Sequence, residues 1–160
     1  MHNKFISVFA AAAFAIGAFS APATAQDKPV TLAGDVMKEQ ITLDDNGGDR
    51  IEMVAPDVVI PGDRLLFATS YTNTSGEAIE DFVVTNPLPA AVRLSEGSDA
   101  DLVVSVDGGE TWGKLNDLRV ESEGGVSRDA AEIDVTHVRW TLASIAPGES
   151  GRLEYYAIVR

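Results

Sequence analysis

The chain has 160 residues, with 25 acidic against 12 basic side chains, a formal net charge of −13 and no cysteine. That balance argues against nucleic-acid binding, which needs a basic patch to meet phosphates. The missing thiols remove disulfides, cysteine nucleophiles and cysteine-ligated zinc.

Met1-His2-Asn3-Lys4 opens the chain with a positive charge, and an apolar run extends from Phe5 to Phe19. Ser20-Ala21-Pro22 breaks the run, and Ala23-Thr24-Ala25 supplies a small-x-small end. These are the three parts of a secretory signal peptide. The run is short for a spanning helix, which needs ~20 residues. Residues 1–25 are therefore predicted to be an export signal cleaved near Ala25. The mature chain is expected to be periplasmic or secreted, with no stable membrane span. Its length suits one domain that folds without a disulfide or metal.

Residues 26–53 are expected to form an N-terminal strand and hairpin packed on the domain, and residues 54–160 the domain itself. Gly34 to Leu43 reads as a first strand, residues 44–49 as a turn, and Arg50 to Ala55 as a short returning arm. Residues 56–61, bounded by prolines, form an edge-like connector. Arg64 to Asn73 is a long strand with Leu65, Phe67, Thr69 and Tyr71 on its core face. Glu80 to Asn86 follows, with Phe82 and Val84 inward, and Pro87 stops it. Ala91 to Glu96 is short; Asp101 to Val106 aligns Leu102, Val104 and Val106. Residues 113–131 read as a long loop with at most one short strand near Arg119 and Val120. Val135 to Leu142 points Val138, Trp140 and Leu142 inward, and Gly151 to Arg160 does the same with Leu153, Tyr155, Ala157 and Val159. No later segment holds a helical period. The fold class is all-β: an immunoglobulin-like antiparallel β-sandwich of about seven to nine strands.

Ser105-Val106-Asp107-Gly108-Gly109-Glu110-Thr111-Trp112 resembles the Asp-box turn of sialidase propellers. The residue types suit a self-contained hairpin. Asp107 can accept backbone N–H groups, Gly108 and Gly109 can take positive φ, and Ser105 and Thr111 can bridge the arms under a Trp112 lid. Ser105, Asp107, Gly109, Thr111 and Trp112 are therefore read as a structural turn. The chain is too short for a propeller.

Pro61-Gly62-Asp63-Arg64-Leu65-Leu66-Phe67, Tyr71-Thr72-Asn73-Thr74-Ser75-Gly76, Val84-Thr85-Asn86-Pro87-Leu88-Pro89, Val138-Arg139-Trp140 and Ala146-Pro147-Gly148-Glu149 occur in that order. The series resembles the conserved repeat domain of bacterial surface proteins, domain of unknown function eleven, over residues 54–160. The resemblance implies an immunoglobulin-like sandwich in an exported protein, without enzyme activity. Members of that family often carry many tandem copies; this chain carries one.

Other chemistry is sparse. His137 is the one histidine after the predicted signal, which leaves a histidine zinc site or a hydrolase triad without support. Asp44, Asn46 and Asp49 crowd one loop and are the calcium candidates, although the later Glu of a calcium loop is missing and a plain turn is favoured. Lys38 could supply an amine for an internal cross-link, but the last strand has no Asn or Asp to receive it. Trp112 and Tyr156 are the candidate ligand face. No metal, cofactor or catalytic residue is assigned. The expected function is an exported, non-catalytic structural or protein-interaction role in the cell envelope, with an envelope protein or a glycan as partner. A carbohydrate-binding module is the alternative, and an unrecognised hydrolase a more distant one.

Overall fold

The computed structural model describes residues 28–98, 102–121 and 124–160. The predicted export signal lies outside the described residues. The strands are β1 Val30–Leu43, β2 Asp49–Val54, β3 Arg64–Asn73, β4 Ile79–Pro87, β5 Val92–Leu94, β6 Val103–Ser105, β7 Gly113–Lys114, β8 Arg119–Glu121, β9 Ser127–Asp129, β10 His137–Ile145 and β11 Ser150–Val159. Two short 3-10 turns, Leu115–Asp117 and Glu132–Asp134, are the helical elements among the described residues. None is long and apolar enough to cross a membrane.

The chain is an all-β sandwich of two antiparallel sheets. One has five strands in the order β2-β1-β3-β11-β5; the other has four in the order β4-β10-β6-β7. The core lies between them. Leu65, Tyr155, Ala157, Val92 and Leu94 from the first sheet meet Val104 and Val138 from the second, all nearly out of solvent. Phe67 stacks on Tyr155 at 5.0 Å, and Trp140 reaches the same tyrosine from the opposite sheet at 6.2 Å. The predicted inward residues of β4, β6, β10 and β11 face this layer, because alternation on a pleated strand leaves one buried set.

β3 begins and ends where the sequence places it, but both of its faces are covered. Leu66 and Ala68, on the face away from the second sheet, are as buried as Leu65 and Thr69. β3 is the middle strand, and long charged side chains lie over its outer face. Arg64 reaches Glu39 on β1 and stacks on the Tyr156 ring of β11, while Arg152 bridges Asp35 and Glu154. Aliphatic stems of such residues exclude water while their heads stay wet.

Residues 113–131 differ more from expectation. Instead of a loop they hold β7, a 3-10 turn and the β8–β9 hairpin, in which Val120 pairs with Arg128. Gly124 and Gly125, at φ 98° and 76°, make the reversal between the arms. Arg119 secures it through an ion pair to Asp129 and a hydrogen bond to Ser127.

Asn73 joins two of the predicted turns. Its side chain is fully buried, and its Nδ2 donates to the carbonyls of Glu77 and Ile145 at 2.8 and 2.9 Å. Its Oδ1 accepts from the Ser75 N–H and hydroxyl. Its backbone donates to Glu149 and accepts from Gly148. The β3–β4 turn and the β10–β11 turn, far apart in sequence, are thereby tied at one end of the sandwich. At the same end Gly151 pairs with Tyr71, whose ring fills the space a Cβ at Gly151 would need.

Candidate functional site: a closed turn, a groove and a projecting ribbon

The turn after β6 closes on itself. The Ser105 hydroxyl, fully buried, donates to Asp107 Oδ1 at 2.7 Å and accepts from the Gly109 N–H at 2.9 Å. Asp107 also receives the N–H groups of Glu110 and Thr111 and the Thr111 hydroxyl. The Thr136 hydroxyl fastens the turn to the start of β10, accepting from the Gly108 N–H and donating to the Ser105 carbonyl. Trp112 caps it, with its indole N–H on the Gly109 carbonyl at 2.9 Å. Gly108 and Gly109 both take positive φ, as the turn demands.

Hydrogen bonds from Thr111 and Ser105 hold the Asp107 carboxyl far below its ordinary value of 3.8. Such a group stabilises the fold at pH above the unfolded value, and the effect is lost as pH falls through the lower folded value. Lowering the pH from about 5 to about 2 should therefore reduce the melting temperature of the wild-type chain more than that of Asp107→Asn. Thermal melts across that range check this, and equal slopes would show that Asp107 does not set the acid limb.

The two candidate ligand aromatics do not share a surface. Trp112 sits on the outer side of the four-stranded sheet, edge-on to His137 and with the Arg139 guanidinium 3.5 Å above its ring. Tyr156 sits on the outer side of the five-stranded sheet, with the Arg64 guanidinium 4.2 Å above its ring. Both rings are half-buried, and each has one π-face occupied by a cation.

The loop carrying the calcium candidates is a tight reversal. Asp44 Oδ1 accepts the N–H groups of Asn46 and Gly48 at 2.8 and 2.7 Å, and the Asp44 N–H donates to the Gly48 carbonyl. Asp49 pairs with Leu43 at the start of β2. Among the described residues no three acidic, histidine or cysteine side chains cluster as a metal site would require. Lys38 bonds Asp63 Oδ2 at 2.9 Å and the Val58 carbonyl at 3.1 Å. The Ile60 N–H and the Lys38 amine hold the Asp63 carboxyl below its ordinary range.

Two features escaped the sequence reading. The first is a groove of about 550 Å³ between β1, β3, β11 and the end of β4, lined among others by Val36, Phe67, Tyr155, Asn86, Pro87 and Pro89. Asn86 crosses it to the Thr69 hydroxyl at 2.7 Å. The second is the ribbon made by the far half of β1 with β2. β1 pairs with β3 from Val30 to Lys38 and with β2 from Lys38 to Leu43. Along the ribbon the polarity inverts. The side that continues the core face carries Lys38, Gln40, Thr42, Arg50 and Glu52, because no second sheet lies opposite it. The outer side carries Ile41, Leu43, Ile51 and Met53. Ile41 and Ile51 are direct partners, 65% and 61% exposed, and Leu43 is 73% exposed. The signal was present as the alternation of Ile41 and Leu43 with polar neighbours.

The chain matches no known protein family, and no curated protein or solved structure is significantly similar to it.

Proposed function

We propose that this is an exported, non-catalytic β-sandwich that works by docking a protein partner in the cell envelope. The observation that carries the reading is the outward apolar face of the β1–β2 ribbon. A two-stranded ribbon is marginal in water on its own. This one presents Ile41, Leu43 and Ile51 to solvent instead of turning them to the core. Contiguous exposed apolar surface of this kind is characteristic of interaction sites. The displaced carboxylates support a non-catalytic role as well. Asp107, Asp63 and Asp134 are each held by donors within the fold: a turn, the Lys38 amine with the Ile60 N–H, and the Arg128 guanidinium. The order of motifs that resembles the conserved repeat domain fits the same role.

A photoreactive residue placed at Ile41 is expected to trap a discrete envelope protein in intact cells. The same residue at Thr141, exposed on the far sheet, is the control. Equal adducts at both positions, or none at Ile41, would overturn the reading.

A further inference from the structure

β2 ends the five-stranded sheet, and among the described residues its outer edge pairs with nothing. Edge strands are commonly protected by charged side chains, lysine above all, by proline or by a bulge. Asp49-Arg50-Ile51-Glu52-Met53-Val54 has no lysine, proline or bulge, and the charges it carries are of both signs, so they can pair with another copy. Its backbone phase is set by the hairpin. The Asp44 N–H to Gly48 carbonyl bond closes the turn, and bonded and non-bonded pairs alternate from there. Arg50 and Glu52 therefore direct their N–H and C=O groups toward β1. Asp49, Ile51 and Met53 direct theirs to the free edge.

The side chains of β2 are self-complementary about Ile51. In an antiparallel pairing of β2 with another β2 centred there, Ile51 faces Ile51, Arg50 faces Glu52, and Glu52 faces Arg50. Ile51 is also a position whose backbone groups are free, so the central pair exchanges both of its hydrogen bonds. On the apolar side Ile41 and Ile51 of one copy would meet Ile51 and Ile41 of the other, a row of four isoleucines across four strands. On the polar side the charges alternate across the join. Within one copy Arg50 already leans toward Glu52 at 3.4 Å, both side chains being well exposed. Among the centres that keep this backbone phase, no other in β2 places opposite charges against each other on both sides.

We propose that two copies of this chain pair antiparallel through the free edges of β2, in the register that sets Ile51 opposite Ile51 and Arg50 opposite Glu52. The pairing makes one continuous sheet from both copies. It needs no third component, so it stands or falls separately from docking of an envelope partner. A two-fold axis doubles every contact, so one substitution alters two pairs.

Sedimentation of the full chain over a micromolar to millimolar series, at physiological salt where charges beyond about 8 Å are screened, should show a monomer–dimer equilibrium. Arg50→Glu or Glu52→Arg alone sets like charges opposite each other and should weaken the dimer about tenfold or more. The double exchange Arg50→Glu/Glu52→Arg should restore it. Circular dichroism melts confirm that each variant is folded. Under oxidising conditions Ile51→Cys should cross-link to itself, because directly opposed residues lie about 5.5 Å apart at Cα. Met53→Cys should not, because it faces Asp49. A chain that stays monomeric throughout overturns the proposal. A dimer indifferent to the single reversals, or one in which Met53→Cys cross-links and Ile51→Cys does not, overturns it too.

Discussion

Replacing Tyr155 with Ala is expected to cost about 3–5 kcal/mol, a large share of the roughly 5–15 kcal/mol that holds a domain together. The ring is the point where the two sheets meet. It lies 4% exposed, stacked within 6° of parallel on Phe67, with Trp140 packed against it from the other sheet. Truncation opens a cavity that neither aromatic can fill without leaving its own strand. Tyr155→Phe keeps the ring and should stay within about 1.5 kcal/mol of wild type. Urea unfolding of the three proteins checks both values, and a Tyr155→Ala protein within 1 kcal/mol or so of wild type would show that the stack is not a keystone. Burial also pushes the Tyr155 phenol up to about 12 from 10.0. The folded state thus resists ionisation, and its advantage is complete below pH 10 or so and lost as pH rises toward the folded value. Alkaline titration at the phenolate absorbance should find one late tyrosine, Tyr155, that ionises with unfolding.

Asn73→Ala is the second large effect, about 3 kcal/mol, or a fall of roughly 10 °C in melting temperature. The loss is not one of volume. The amide donates to two carbonyls from different turns and accepts from Ser75. Without it, the Ile145 carbonyl loses a partner in a place water does not reach, since both Asn73 and Ile145 are fully buried. Asn73→Asp should not rescue. A carboxylate there sets negative oxygen against the Glu77 and Ile145 carbonyls that the amide N–H groups now satisfy. Differential scanning calorimetry of the three proteins at neutral pH distinguishes the cases; an Asp variant equal to wild type would show that the donor role is unimportant.

Much of the fold was readable because the informative residues are local. Leu65 through Asn73 alternates and branches as a strand should, and Pro61-Gly62-Asp63 sets its start. Asp107, its glycines and its threonine lie within seven positions, so their mutual bonding could be inferred from turn chemistry alone. The β8–β9 hairpin was hidden because Ser127, Arg128 and Asp129 are all exposed and carry no apolar alternation. Asn73 looked like turn chemistry; its second role depends on Ile145, 72 positions later. The apolar ribbon was legible as alternation but not as a surface. Whether Ile41 or Gln40 points to a core depends on where the opposite sheet stops, which no local pattern records. The Arg139 and Arg64 caps were invisible for the same reason, since each guanidinium reaches a ring on a different element.

The place of β11 has a consequence for the order of events in synthesis. Residues 150–159 pair with β3 on one side and β5 on the other. The five-stranded sheet therefore cannot close until the last ten residues of this strand have left the ribosome. Until then Leu65, Ala68 and Thr69 border an open gap in the middle of the sheet. Contacts this distant in sequence form late and slowly. The pairing of β1 with β2 and β3 needs no residue beyond Asn73, so that part of the sheet can form before β11 is made, whereas β5 can join it only afterwards.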